Sequence, residues 1–207
     1  QAEYSAEVTL TAENPAYLTD NDQRQYTPSW GSPYAGQDTT ANYWTTPMDI
    51  TDEEAVWAML TSPITVVDNG KKNAQRLQVT VHSEPSSDAP GVGVVTCISQ
   101  GVHVLDIQGD WALIECYSAS FHNSSVKAWN MLVQGWVPAS YLKTVTPDQE
   151  MGLVVDKLTQ RLYIFVDGHL YDTLLVSTGL TNAKQPYNET RSGEFLLTTK
   201  GGNFKSD

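Results

Sequence analysis

The chain has 207 residues, and its 24 acidic side chains against 12 basic ones give a formal net charge of -12. A hydrophobic fraction of 40% is enough for packed cores, which excludes a wholly disordered chain. No apolar stretch approaches the roughly 20 residues of a membrane helix, and an acidic surface repels phosphates, so we expect no membrane span and no nucleic-acid partner.

The acidic residues are unevenly distributed, which divides the chain into three zones. Residues 1–64 hold ten acids and one base, residues 65–150 hold eight and five, and residues 151–207 hold six of each. We therefore expect an acidic arm at 1–63, a first domain at 64–145 and a second segment at 146–207. The chain starts at Gln1 with no Met and no charged-then-apolar leader, which indicates a processed or trimmed product.

The first fifty residues are polar, with prolines spaced too closely for a useful helix. This stretch carries seven aromatic side chains: Tyr4, Tyr17, Tyr26, Trp30, Tyr34, Tyr43 and Trp44. Disordered segments are depleted in aromatic residues, which bury large areas when they pack. We predict an extended arm that docks on a folded neighbour, with one candidate strand at residues 7–10.

A short helix is predicted near residues 52–61. Thr51 and Glu54 have the spacing of a capping box, in which each side chain hydrogen-bonds the backbone amide of the other residue. Acidic residues in the first turn suit the positive end of the helix dipole, and Pro63 ends the apolar run. We expect this helix to pack on a folded core and to bind no ligand.

Short strand-like segments separated by turn residues follow from Ile64 onward. We predict strands at residues 76–82, 92–98, 102–108, 111–117 and 128–137. Gly101 and Gly109-Asp110 mark tight turns, and the polar stretch 118–127 is predicted to be an inserted loop. Regularly spaced short strands are typical of a small closed barrel.

The end of this zone carries the motif Gly135-Trp136-Val137-Pro138-Ala139-Ser140-Tyr141-Leu142. It follows Gly109-Asp110-Trp111 and the Pro-Ser stretch at residues 84–87. In this order the motifs resemble a bacterial SH3-like domain over residues 64–142, apart from its first strand and the loop after Tyr117. Trp111, Trp136 and Tyr141 can stack on peptide or sugar, although in small barrels such residues more often fill the core.

Residues 151–207 form a second β segment with no net charge. We predict strands at residues 152–156, 161–166, 169–177 and 194–199. Asp167-Gly168 has the composition of a two-residue hairpin turn. The long loop at residues 179–193 is predicted to be functional or mobile.

Three motifs of this segment lie in an order found in one enzyme family. They are Leu158-Thr159-Gln160-Arg161-Leu162-Tyr163-Ile164-Phe165, Val176-Ser177-Thr178-Gly179 and Thr190-Arg191-Ser192-Gly193-Glu194-Phe195. The order resembles the first half of the L,D-transpeptidase (YkuD-type) catalytic domain. Arg191 stands where that family usually has proline, so we expect a looser turn there. The predicted fold is therefore mostly β: a small SH3-like barrel followed by the first strands of an L,D-transpeptidase-like domain, with an extended N-terminal arm and one short helix.

The resemblance implies chemistry outside these residues. The family's His and the Cys of its Ser/Thr-His-Gly-Cys-x-Arg segment are expected after Asp207, so no catalytic, metal-binding or cofactor-binding residue is predicted, and the chain alone is expected to be inactive. The implied substrates are peptidoglycan stem peptides at the bacterial cell surface, and the implied product is a 3-3 cross-link. A missing C-terminal half or another chain is expected to complete the second sheet, because so short a segment leaves sheet edges exposed.

The remaining chemistry-bearing residues favour structural roles. His82, His103, His122 and His169 lie singly, without the spacing of zinc ligands, and are predicted to be surface or core-edge residues. Cys97 and Cys116 either form a disulfide or lie buried as two thiols. A nucleophile and base pair of Cys116 and His103 is disfavoured, because both fall in predicted strands with no helix N-terminus to lower the thiol pKa.

The leading interpretation is an exported cell-wall enzyme of the L,D-transpeptidase type. The alternative is a non-catalytic wall-binding protein that uses its SH3-like module for recognition. A cysteine peptidase of the cell wall shares such modules, but it requires a cysteine at a helix start, which neither Cys97 nor Cys116 offers.

Overall fold

A computed structural model describes residues 50–72, 74, 77–121, 124–147, 150–157, 159–179, 184 and 187–197. Residues 1–49 of the predicted arm, with the candidate strand at residues 7–10, and His122 lie outside the described residues.

The described residues form three antiparallel sheets and one α-helix, so the predicted mostly β class is confirmed. Helix α1 is Glu53–Thr61. The strands are β1 (Ile64–Val67), β2 (Gln78–His82), β3 (Gly91–Thr96), β4 (His103–Gln108), β5 (Trp111–Tyr117), β6 (Leu132–Pro138), β7 (Leu142–Val145), β8 (Met151–Asp156), β9 (Arg161–Val166) and β10 (His169–Leu175). Among these residues no helix is long and apolar enough to cross a membrane.

Helix α1 begins one residue later than the predicted capping box requires. Asp52 is the N-cap, and its carboxylate accepts a hydrogen bond from the Ala55 amide at 3.0 Å. The prediction of Thr51 as the cap is therefore wrong. An aspartate is as good an N-cap as a threonine, so the two neighbouring candidates could not be ranked by residue type.

Five strands form the first sheet, in the order β3-β2-β6-β5-β4. Strands β5 and β6 pair over seven residues, whereas β2 meets β6 at one pair, His82 opposite Trp136. At Gly135 the two backbones come very close, since a Cβ atom would lie 2.5 Å from the His82 carbonyl oxygen. Only glycine permits this approach of β6 to β2.

Strands β1 and β7 form a separate two-stranded sheet, called here the terminal pair. It is hydrogen-bonded to the loop between β3 and β4 of the first sheet. All four residues of β1 are buried. The amides of Ile98 and Val102 donate to the carbonyls of Val67 and Thr65, both at 2.8 Å. Neither strand of the pair was predicted, because a four-residue strand without alternation has no distinctive period.

One hydrophobic core serves the first sheet and the terminal pair. Its buried members are Val67, Val81, Val95, Val102, Val104, Ala112, Ile114, Cys116, Tyr117 and Val137. They come from β1, β2, β3, β4, β5 and β6 and from the turn before β4. The described part of residues 64–145, called the first unit below, therefore shares one core.

The second sheet has the order β10-β9-β8. Asp167 and Gly168, the predicted hairpin turn, have φ angles of 49° and 89°, which are the positive values that a tight turn of this type needs. Helix α1 packs on this sheet, where Leu60 covers Gly152, and Phe165 is completely buried.

The opposite face of the second sheet is apolar and exposed. Met151, Leu153 and Val155 alternate along β8 and are 53%, 41% and 48% exposed. They lie opposite Val166, Ile164 and Leu162 of β9, in that order. Because side chains alternate between the faces of a strand, these six aliphatic residues share one surface.

Most predicted strands are observed with small shifts at their ends. Trp111–Tyr117 and Arg161–Val166 have the predicted bounds. Strand β6 begins at Leu132, four residues later than predicted, because the chain turns at Asn130, whose φ is 50°. The prediction of a regular second-sheet strand at residues 194–199 is wrong for its described part: Phe195 forms an isolated bridge, and its partner is Gln100 of the first unit.

Candidate functional site

The three motifs that carry the family resemblance meet on the second sheet. Gln160, just before β9, accepts a hydrogen bond from the Thr178 amide at 2.7 Å and donates to the Thr178 hydroxyl. The Val176 amide donates to the Gln160 carbonyl at 2.9 Å. These contacts hold the first two motifs together across the open end of the β9-β10 hairpin.

The third motif returns to the same place. The Gly179 amide donates to the Thr190 hydroxyl at 2.9 Å, and the Thr190 amide donates to the Gly179 carbonyl at 3.3 Å. The β9-β10 hairpin explains why Gln160 and Thr178 are in contact. It does not explain the contact between Gly179 and Thr190, since Thr190 is 11 residues further along the chain.

Lys157 holds the turn that precedes the third motif. Its ammonium group donates to the Glu189 carboxylate at 2.9 Å, and to the Thr190 carbonyl and the Ser192 hydroxyl at 2.8 Å each. The Lys157 side chain is 17% exposed and that of Glu189 is 8% exposed, so this ion pair is largely shielded from water. Three hydrogen bonds from one ammonium group therefore hold the turn for which a looser conformation was expected.

Arg191 does not turn back toward the second sheet. Its guanidinium group donates to Gln100 Oε1 at 2.8 Å and lies 5.1 Å from the centre of the Phe195 ring. Burial lowers the pKa of this guanidinium. The side chain thus crosses from the second sheet to the first unit.

Residues 190–196, the docking segment, also bind the first unit through backbone atoms. The Gly101 amide donates to the Glu194 carbonyl at 3.0 Å, and the Leu196 amide donates to the Ser99 carbonyl at 2.7 Å. Asn130, which is completely buried, accepts from the Ser192 amide at 2.7 Å. The segment therefore pairs with the first unit through one antiparallel bridge.

The two cysteines are free and buried, which answers the question that the sequence left open. Burial raises the pKa of Cys97, and it raises the pKa of Cys116 to about 12. Cys116 points into the hydrophobic core, while Glu115, its neighbour on β5, is the residue that pairs with His103. Neither thiol has the exposure or the low pKa of a nucleophile.

His103 and Glu115 form a buried polar pair across β4 and β5. Burial lowers the pKa of His103 to about 3 and raises that of Glu115 to about 8. One carboxylate oxygen of Glu115 accepts from Gln134 at 2.8 Å, and the other has no hydrogen-bond partner among the described residues. Burial therefore favours the neutral form of both groups. Glu194 Oε2 of the docking segment lies 3.9 Å from His103 Nε2.

The other predicted histidines lie apart from this pair. His82 contacts the Trp111 ring edge-on at 5.9 Å. His169 is exposed and hydrogen-bonds the Glu53 carboxylate at 3.0 Å, which lowers the pKa of Glu53. No group of metal-ligating side chains occurs in the part of the chain that the structure describes.

The three aromatic residues of the SH3-like motifs are partly buried. Tyr141 packs against the hydrophobic core. Trp111 lies opposite Pro138 and Trp136 opposite Leu113 on the paired strands β5 and β6, and both border His82. These positions agree with a mainly structural role.

The residues that join the two sheets were missed in the sequence. Gln100, Asn130 and Lys157 have partners 91, 62 and 35 residues away, and no local pattern marks such contacts. The one sequence feature that could have indicated these contacts was Arg191, which stands where the resembled family usually has proline. Comparison with protein-family models, with curated proteins and with solved structures gave no match to this chain.

Proposed function

We propose that this chain is the leading part of an exported bacterial cell-wall enzyme of the L,D-transpeptidase type, with an SH3-like module before the catalytic domain. The observation that carries the proposal is the meeting of three separate motifs around Gln160, Thr178 and Thr190. Residues 18 and 11 positions apart come into direct contact there, which is expected if the motifs belong to one site.

The proposed reaction is acyl transfer through a cysteine of the parent protein that lies beyond Asp207. Its thiolate attacks the carbonyl carbon between the third and fourth residues of a stem peptide, and D-alanine leaves as the free amine. The thioester is then attacked by a side-chain amine of a second stem, which forms the 3-3 amide and releases the thiolate. A histidine, also expected beyond Asp207, accepts and returns the proton.

The exposed apolar face of the second sheet supports an incomplete catalytic domain. Met151, Leu153 and Val155 are each at least 41% exposed. A larger domain normally buries such a surface against a further layer. In the proposed parent protein, residues after Asp207 supply that layer.

The first test is the reading frame that follows Asp207. A Ser/Thr-His-Gly-Cys segment is expected there, and the purified parent protein is expected to release D-alanine from a stem tetrapeptide and to form a 3-3 dimer, both measured by mass spectrometry. Replacement of that cysteine by alanine should abolish both products, and the 207-residue chain is the matched negative control. A stop codon after Asp207, or turnover by the 207-residue chain alone, would contradict the proposal.

A non-catalytic wall-binding protein is the second candidate. The observation in its favour is that both cysteines of this chain are buried, with raised pKa values. It predicts sedimentation of the 207-residue chain with purified peptidoglycan, with no catalytic segment following in the gene.

A further inference from the structure

The contact between Arg191 and the first unit is built on a preformed acceptor. Gln100 is 1% exposed, and its amide nitrogen donates to the Tyr117 carbonyl. Its Oε1 also accepts from the Thr96 amide at 3.0 Å. The first unit therefore fixes this oxygen, and the guanidinium of Arg191 binds an acceptor whose direction is already set.

The other hydrogen bonds between the docking segment and the first unit involve backbone atoms of the segment. On one side, residues 99 and 101 bond to Leu196 and Glu194 in the pattern of an added antiparallel strand. On the other side, Asn130 receives the Ser192 amide. An occupant must therefore be extended at one end and turned at the other, with an arginine beside the turn.

Arginine fits this position better than lysine. The Arg191 guanidinium donates to Gln100 and to Thr96 Oγ1, at 2.8 and 3.4 Å, and also lies over the Phe195 ring. Both hydrogen bonds come from one nitrogen, Nη2, while the planar guanidinium lies over the ring. An ammonium group is a compact, strongly hydrated charge with no plane to lie on the ring. Side-chain recognition at this point is thus selective for arginine.

We propose that residues 99–101, with the side chains of Gln100 and Asn130, form a peptide-docking slot that recognises an extended, arginine-containing segment. In this chain the docking segment fills the slot, and Arg191 is its specificity-determining residue. The slot fastens the second sheet to the first unit, and any external peptide of this type must displace the docking segment to bind.

The test uses the full 207-residue chain and a fluorescent peptide with the sequence of residues 188–197. With the Arg191→Ala chain, whose own segment is weakened, we expect the peptide to bind, and a peptide with alanine in place of the arginine to bind at least ~10-fold more weakly. The wild-type chain should exclude the peptide. Arg161→Ala, which removes an exposed arginine of β9, is the matched control and should also exclude it.

Amide hydrogen exchange gives a second readout. Exchange at Gly101 and Leu196 should accelerate in Arg191→Ala and stay unchanged in Arg161→Ala, while protection of β5 and β6 reports that the first unit is folded. If Arg191→Ala does not fold, Arg191→Lys is used, since it keeps the charge and most of the stem. Equal binding of the two peptides, no binding of either, or equal binding to wild type and variant would overturn the proposal.

Discussion

Replacement of Glu115 by glutamine is expected to stabilise the chain relative to wild type, by an amount that grows as the pH rises from 4.5 to 8. Glu115 is 1% exposed, and burial raises its pKa from 4.5 to about 8. The folded chain therefore binds this proton more tightly than the unfolded chain does. The stabilisation is complete below pH 4.5 and is lost as the pH rises toward 8.

The magnitude follows from the two pKa values. Each pH unit between 4.5 and 8 removes about 1.4 kcal/mol from the contribution of Glu115 to the free energy of unfolding, and the whole interval removes on the order of 5 kcal/mol of that contribution. That is a large share of the roughly 5–15 kcal/mol that stabilises an ordinary domain. Glutamine is uncharged at every pH in this range, so Glu115→Gln should be several kcal/mol more stable than wild type near pH 8.

The assay is urea unfolding followed by tryptophan fluorescence, at a series of pH values. His103 has a lowered pKa, so its contribution is complete above pH 6.5 and is lost as the pH falls toward 3. This loss occurs in both proteins and cancels in their difference. Glu84→Gln, at an exposed glutamate, is the control. Parallel stability curves for wild type and Glu115→Gln would refute the reasoning.

Three further outcomes follow from the structure. Cys97 and Cys116 should react with a thiol reagent only after unfolding, because both are buried; labelling of the native chain would contradict their placement. Gly135→Ala should lower the free energy of unfolding by about 2 kcal/mol or more, measured in urea, because its Cβ would lie 2.5 Å from the His82 carbonyl oxygen; an unchanged midpoint would argue against the close β2-β6 approach. The 207-residue chain should self-associate through the exposed apolar face of the second sheet, and Leu153→Lys should reduce this association in analytical ultracentrifugation with little loss of stability, since Leu153 is 41% exposed there; a monomeric wild-type chain would contradict this expectation.

Strand positions could be predicted where the signal is local. β5 and β9 alternate between turn residues, and Asp167-Gly168 specifies a tight turn by its own chemistry. The ends of other strands depend on partners. Strand β6, for example, starts only where β5 and the turn at Asn130 allow pairing. Helix α1 shows the same limit, since Thr51 and Asp52 are both good caps and packing selects between them.

The docking contacts could not be predicted, because they join residues that are far apart in sequence. A glutamine in a turn is ordinarily an exposed residue, and nothing near Gln100 indicates that an arginine 91 residues later will bind it. The buried pair of His103 and Glu115 is similar. In the sequence, each residue looks like a polar position on a half-exposed strand. Their pKa values change only because the rest of the folded chain buries them.

Arg191, which stands where the resembled family usually has proline, is also the residue that attaches the second sheet to the first unit. A proline at this position has no side chain that reaches Gln100 and no donor to offer it. Arginine supplies both. The loss of hydration of this partly buried cation is offset because Gln100 and Thr96 accept its hydrogen bonds and the guanidinium lies over the Phe195 ring. Lys157 and Asn130 fix the backbone on either side, so the arginine enters the slot with little freedom left to lose. The second sheet is thereby held at its third motif, the same place where Gly179 and Thr190 meet, and a ligand that displaced the docking segment would also disturb the proposed catalytic half.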